Sequence, residues 1–88
     1  MSEVEAVARF FRAQTGLEPQ LVTDVRRGAG RRTNLAVWSI MTELGHFYVV
    51  RGRHGEVIRG SGPLGRPQRA EDACRVYLEL HPDESPPG

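Results

Sequence analysis

The sequence contains no lysine, a single cysteine and no long apolar run. One cysteine, Cys74, excludes an internal disulfide and a cysteine-based metal cluster. The longest apolar stretch, Ala36–Met41, is interrupted by Ser39 and is far shorter than the roughly 20 residues of a membrane span. The first residues are acidic and then amphipathic, unlike a secretory signal. We therefore expect a cytoplasmic protein without membrane contacts.

What is present indicates one small globular domain. The chain has 88 residues, of which 39% are hydrophobic and 26% are charged. Residues 82–88 are rich in proline and acidic side chains, which favours disorder. We predict a single domain over residues 1–81 and a disordered tail over residues 82–88.

Two segments have the spacing and end signals of amphipathic helices. Residues 2–15 begin at a Ser2 cap, with Glu5 completing a capping box, and end before Gly16. Residues 68–80 place small and apolar side chains on one stripe: Ala70, Ala73, Cys74, Tyr77 and Leu80.

Four extended segments lie between the helices, over residues 21–27, 33–42, 46–53 and 56–60. The second is apolar on both faces, which is typical of a central strand. His54 and Gly55 fit a two-residue hairpin turn flanked by the opposite charges of Arg53 and Glu56. We predict an α+β fold of order α-β-β-β-β-α. In it, an antiparallel meander of three to four strands carries both helices on one face as a two-layer sandwich.

No set of residues has the pattern of a catalytic or metal site. Cys74 lies in the apolar stripe of a helix, where a small buried side chain is the expected role. The histidines His46, His54 and His81 lack ligand spacing and mark turns or a helix end. The sequence therefore predicts a protein that is not an enzyme and needs no cofactor or metal.

Charge is distributed unevenly along the chain, although the formal net charge is only +1. Residues 25–69 contain nine arginines and two glutamates, while the segments on either side are acidic. All twelve basic side chains are arginine, whose guanidinium group pairs bidentately with phosphates and carboxylates. A basic centre between acidic ends indicates an anionic partner.

These nine arginines form three sequence clusters that we predict to bind nucleic acid: Arg26, Arg27, Arg31 and Arg32 around a glycine turn, Arg51, Arg53 and Arg59 near the second hairpin, and Arg66 and Arg69 at the start of the last helix. The alternative for each cluster is an ordinary solvated turn. In the second cluster Glu56 offsets part of the charge. In the third, Glu71 and Asp72 do so.

The stretch Gly60-Ser61-Gly62, followed by Arg66 to Leu78, resembles the double-stranded RNA-binding domain. In that family a strand ends in a Gly-x-Gly loop, and a helix with basic residues at its start follows. The resemblance implies a helix–meander–helix fold that contacts RNA phosphates at that helix start. Pro67 and Gln68 stand where the family has adjacent lysines, so these family positions are not matched and only the nearby Arg66 and Arg69 could substitute for them.

Two functions follow as hypotheses from different classes. The first is a small non-catalytic module that binds RNA or DNA through its arginine-rich hairpins. The second is a protein-interaction or regulatory module, such as an inhibitor, that acts through a helix face or a sheet edge. An edge such as residues 21–27 would pair with a partner strand or with a second copy in a homodimer.

Overall fold

The computed structural model of the chain describes residues 2–25, 35–61 and 70–84. Its elements are helix α1 (Glu3–Thr15), strands β1 (Leu21–Asp24), β2 (Ala36–Thr42), β3 (Gly45–Gly52) and β4 (Gly55–Ser61), helix α2 (Ala70–Leu80), and a 3₁₀ turn (Pro82–Glu84). The predicted α+β class and the order α-β-β-β-β-α are confirmed. Neither helix in these ranges is long and apolar enough to cross a bilayer.

Helix α1 begins and ends as its sequence predicts. The Ser2 hydroxyl accepts a hydrogen bond from the backbone N–H of Glu5 at 3.2 Å. Gly16 adopts a left-handed conformation with φ of 74° and donates its N–H to the Arg12 carbonyl. These two local contacts fix the length of the helix and the direction in which the chain enters the sheet.

The four strands form one antiparallel sheet in the order β1-β2-β3-β4. The register of its two central strands places Trp38 opposite Val49 and Val37 opposite Val50. Strands β1 and β4 lie at the edges. The predicted meander is therefore present with all four strands.

Each helix covers its own face of the sheet. The face under α1 buries side chains of the central strands together with those of the helix: Val7, Phe11, Trp38, Ile40 and Val49. The face under α2 does the same with a second set: Leu35, Val37, Tyr48, Val50, Ala73, Cys74 and Tyr77. The two hydrophobic clusters are thus separated by the sheet.

The prediction that both helices lie on one face is therefore wrong, and the domain has three layers rather than two. The reason lies in β2, where Val37 and Trp38 point to opposite faces and both are buried. A strand that is apolar on both faces needs a cover on each side. One helix on each face provides that cover, whereas two helices on one face would expose Trp38 or Val37 to water.

The turn between β3 and β4 consists of Arg53 and His54, one residue earlier than predicted. Gly52 and Gly55 are cross-strand partners that close it. Gly55 has φ of 101°, a conformation that glycine adopts without strain. Because a glycine stands on each side of Arg53 and His54, the sequence is compatible with a turn at residues 53–54 and with one at residues 54–55.

The predicted disordered tail is wrong for its first three residues. Pro82–Glu84 form a 3₁₀ turn directly after α2, and the Glu84 side chain is only 6% exposed. The turn is short but is anchored against the hairpin of β3 and β4 through Arg53. Residues 85–88 lie outside the described residues.

Candidate nucleic-acid interface

Three of the nine predicted arginines lie in the described part of the chain: Arg51, Arg53 and Arg59. The other six lie outside it: Arg26, Arg27, Arg31, Arg32, Arg66 and Arg69. The structure therefore shows the surroundings of the second cluster, and the roles assigned to the first and third clusters stay predictions.

Arg51 is held by contacts within the protein. Its Nε lies 2.9 Å from a carboxylate oxygen of Glu56, its cross-strand partner, and its guanidinium group lies 5.0 Å from the centre of the Trp38 ring. The predicted pair of Arg53 with Glu56 is thus replaced by Arg51 with Glu56. Ion pairing and a cation–π contact both hold the guanidinium on the α1 side of the sheet.

Arg53 is solvent-exposed, with 74% of its side chain accessible against 34% for Arg51. Its Nε lies 3.6 Å from the nearer carboxylate oxygen of Glu84. The backbone N–H of Arg53 donates to that same oxygen at 2.6 Å. Side chain and backbone of one turn residue therefore face one carboxylate.

Arg59 differs from Arg51 in the face of the sheet on which it lies. It is the cross-strand partner of Tyr48 and lies on the same sheet face as Val57, which packs against the α2 cluster. Arg51 lies on the opposite face. Because they lie on opposite faces, Arg51 and Arg59 do not share one continuous sheet surface.

The histidines His54 and His81, predicted to be solvated markers of a turn and a helix end, are in contact with each other. Their rings stack with centroids 4.6 Å apart and planes 15° apart. His54 Nε2 lies 2.8 Å from a carboxylate oxygen of Asp83, so this nitrogen carries the proton that the carboxylate accepts. The hydrogen bond from His54 holds the pKa of Asp83 below its ordinary value.

Tyr77 connects this group to the core. Its ring is buried, and its hydroxyl accepts the backbone N–H of His54 at 3.1 Å and hydrogen-bonds to Glu84. Burial, with the hydrogen bond to Glu84, raises the pKa of Tyr77, so its hydroxyl stays protonated at neutral pH.

Glu84 stays ionised although little of its side chain meets water. Burial alone would raise its pKa, but the Tyr77 hydroxyl, the Arg53 backbone N–H and the nearby charges of His54 and Arg53 outweigh that effect. The pKa of Glu84 therefore lies below its ordinary value. A carboxylate is held here by donors from two separate segments, the β3–β4 turn and α2.

The contacts of Glu84 and Asp83 were missed by sequence reasoning. Glu84 is 31 residues from Arg53, and Asp83 is 29 residues from His54. No periodicity or motif connects positions so far apart. The one visible signal is the spacing of Tyr77 and His81, four residues apart at the end of a helix, which places both rings on one side.

The two ends of the sheet differ in charge. The end that carries the Arg53–His54 turn, here the Arg53 end, has a cavity of about 270 Å³ lined by Ala36, Arg51, Gly52, Arg53 and Glu84. The opposite end, here the Glu43 end, has a cavity of about 320 Å³ lined by Gly16, Leu17, Glu18, Gln20, Thr42, Glu43 and Leu44. Two arginines and one glutamate line the first cavity, whereas the charged residues that line the second are both acidic.

Cys74 and the Ser39–His46 pair are groups of the types used in catalysis that lie in the described part of the chain. Burial, reinforced by Glu71, raises the pKa of Cys74 to about 11, so the thiolate is scarce at neutral pH. The hydroxyl of Ser39 lies 2.5 Å from His46 Nε2 across β2 and β3. Both strands are internal to the sheet.

Within residues 2–25, 35–61 and 70–84, no three His, Cys, Asp or Glu side chains are grouped as metal ligands. The arrangement at the Arg53 end instead combines a backbone N–H, a tyrosine hydroxyl, an imidazole and guanidinium groups, which are donors for anions. Comparison of this chain with protein-family models, with curated proteins and with solved structures finds no match.

Proposed function

We propose that this protein is a small non-catalytic module that binds the phosphate backbone of nucleic acid at the Arg53 end. The observation that carries the proposal is the position of Val25 and Leu35, which flank a sequence stretch with four arginines. Val25 donates its N–H to the Val37 carbonyl, and Ala36, next to Leu35, is the cross-strand partner of Arg51. Both flanking residues thus lie at the same end of the sheet as Arg53.

The chain therefore leaves and re-enters the sheet at the end that carries the Arg53–His54 turn. The arginines of that stretch, named here from the sequence alone, are Arg26, Arg27, Arg31 and Arg32. Sequence-independent attraction between guanidinium groups and phosphates is the expected mode of binding. Arg59, Arg66 and Arg69 stay predicted contacts, while Arg51 contributes mainly through the ion pair that shapes the cavity.

Duplex RNA is among the nucleic acids to be tested, as the resemblance to the double-stranded RNA-binding domain implies. The sheet of this protein has four strands and carries a helix on each face, whereas the predicted sandwich has both helices on one face. For this reason the Arg53 end, rather than the start of α2, is the proposed contact surface.

An electrophoretic mobility shift assay with single- and double-stranded RNA and DNA at two salt concentrations tests the proposal. We expect binding at low salt and, for four phosphate contacts on a duplex, a loss of about a hundredfold in affinity between about 50 and 200 mM salt. Replacing Arg31 and Arg32 by glutamate should abolish the shift.

A matched control carries the same change of charge on the helices. Arg9 and Arg75 are exposed on α1 and α2, and Arg75 pairs with the neighbouring Asp72. The double substitution Arg9→Glu and Arg75→Glu should retain most of the affinity. An absence of any shift at low salt with all four nucleic acids would contradict the proposed function.

A second candidate, binding to a partner protein, is favoured by one observation. Leu21 of the edge strand β1 and its cross-strand partner Met41 are 59% and 42% exposed on the same face. An exposed apolar pair beside a sheet edge suits an added strand from another protein. A complex that survives nuclease treatment and is lost on Leu21→Lys would support this candidate.

A further inference from the structure

The Arg53–His54 turn holds carboxylates as an anion-binding site would. The backbone N–H of Arg53 and the hydroxyl of Tyr77 hydrogen-bond to Glu84, and the Arg53 guanidinium lies beside the same carboxylate. His54 holds Asp83 in the same way. All the donors belong to the hairpin and α2, whereas both acceptors belong to the 3₁₀ turn that follows.

The fit of Glu84 to these donors is incomplete. Its Oε1 accepts the Arg53 N–H, but its Oε2 is buried and has no hydrogen-bond partner in the described part of the chain. A buried carboxylate oxygen without a donor loses its hydration and gains nothing in exchange. The contact is therefore weaker than the number of donors suggests, and an anion that satisfies all its oxygens could replace it.

Space for such an anion lies next to the donors. The cavity of about 270 Å³ at the Arg53 end includes the side chains of Arg51, Arg53 and Glu84. One water molecule occupies about 30 Å³ of liquid, so the cavity has room for a phosphate group. The Arg53 guanidinium lies beside this space, and a guanidinium group pairs bidentately with a tetrahedral phosphate.

We propose that the Arg53–His54 turn, with Tyr77, is a binding site for a phosphate group, and that Glu84 and Asp83 of the same chain occupy it. Phosphate binds when the 3₁₀ turn leaves the hairpin. The phosphate could come from free phosphate or from a nucleic-acid backbone, and the second source rests on the proposed function above. The acidic turn then competes with nucleic acid for the Arg53 end.

The strength with which Glu84 and Asp83 compete with phosphate can be estimated because both belong to the same chain as the site. A carboxylate attached a few residues from its site has an effective concentration in the millimolar range or above, so the open state is a minor population. If the turn is open about one-tenth of the time, it raises the apparent Kd for phosphate about tenfold. Removing the negative charges of Glu84 and Asp83 should therefore lower the apparent Kd for phosphate by about the same factor.

The experiment is a titration of the full chain with inorganic phosphate, followed by the ¹⁵N–¹H NMR signals of Arg53 and His54. The test variant replaces Glu84 by glutamine and Asp83 by asparagine, which keeps the shape of both side chains. A matched control replaces Glu71 and Glu79 by glutamine, removing two negative charges from exposed positions of α2. We expect the test variant to bind phosphate about tenfold more tightly than the unchanged chain and the control.

Equal affinities in all three proteins, or an equal gain in the control, would overturn the proposal. A parallel titration with an oligonucleotide separates the two sources of phosphate. If the test variant gains affinity for phosphate but no variant binds the oligonucleotide, the site is supported and the proposed nucleic-acid function fails.

Discussion

The two ends of the sheet are held together by contacts of very different sequence range. At the Glu43 end, the Thr42 hydroxyl donates to the Gly45 carbonyl and accepts the N–H of Leu44, all within one turn. At the Arg53 end, the turn is held by Glu84 and Asp83, which are 31 and 29 residues away from their partners. One end is closed by local chain geometry and the other by tertiary contacts.

This difference assigns different roles to the two ends. A turn held by its own neighbours forms wherever the strands pair, and it has little to gain from a ligand. A turn held by a distant acidic segment has donors that a ligand can also use, and its contacts can open without disturbing the strands. The Arg53 end is therefore the end where binding and folding are coupled.

The largest expected effect on stability comes from adding one methyl group at Gly52, at the Arg53 end. A Cβ at Gly52 would lie 2.6 Å from Tyr77 Cζ and 2.8 Å from Glu84 Oε1, and the buried Tyr77 ring cannot move aside. We expect Gly52→Ala to lower the free energy of unfolding by about 2–3 kcal/mol, measured by urea denaturation.

The matched substitution at the Glu43 end is Gly16→Ala. No atom lies within 4 Å of a Cβ there, but φ of +74° is unfavourable for alanine. The expected loss in free energy of unfolding is about 1 kcal/mol. Equal losses for the two glycine variants would show that the Arg53 end is no more tightly packed than the Glu43 end.

A smaller effect is expected from removing one hydroxyl group. The Tyr77 hydroxyl hydrogen-bonds to both the His54 N–H and Glu84, and Tyr77→Phe removes both bonds. We expect this substitution to lower the free energy of unfolding by about 1–2 kcal/mol. Tyr48 is the control, because its hydroxyl makes no hydrogen bond within the described ranges. Tyr48→Phe should change stability by less than about 0.5 kcal/mol, and a similar loss in both variants would contradict this assignment.

The smallest effect concerns acid stability. The pKa values of Asp83 and Glu84 are lowered in the folded protein, so their stabilising contribution is complete above the unfolded values of about 4 to 4.5 and is lost as pH falls through the folded values. The double variant Asp83→Asn and Glu84→Gln should therefore show a shallower fall in unfolding free energy below about pH 5.

The Glu43 end supplies the comparison for this pH series. The hydrogen bond to Arg12 lowers the pKa of Glu18, and this pair is solvent-exposed. Glu18→Gln should reduce the fall in unfolding free energy below about pH 5 less than the double variant does, because an exposed pair contributes little to stability. If the unfolding free energy of the double variant falls below about pH 5 as steeply as that of the unchanged chain, the 3₁₀ turn does not stabilise the folded chain.

Local features of the fold could be predicted from the sequence, and long-range ones could not. Ser2 and Gly16 act within one turn of α1, so residue type alone indicates both ends of the helix. The apolar pattern of each helix shows that it buries one side, but not which face of the sheet it covers. The burial of Val37 and Trp38 on opposite faces decided that, and it requires a helix on each.

In the candidate site, too, local features could be predicted from the sequence and long-range contacts could not. Arginine-rich segments are visible in the sequence, which is why Arg51, Arg53 and Arg59 were predicted. Their directions depend on strand register, and their partners depend on a segment about 30 residues further along. Glu84 therefore had no signal in the sequence, although it determines whether Arg53 is available to a ligand.

The most direct test of the account is a map of amide chemical shifts on adding a short oligonucleotide at low salt. We predict shifts concentrated at the Arg53 end, in Val25, Leu35, Arg53 and His54, that disappear as salt is added. Shifts concentrated instead around Glu43 and Leu44, or none at all, would contradict the central claim that the Arg53 end binds phosphate.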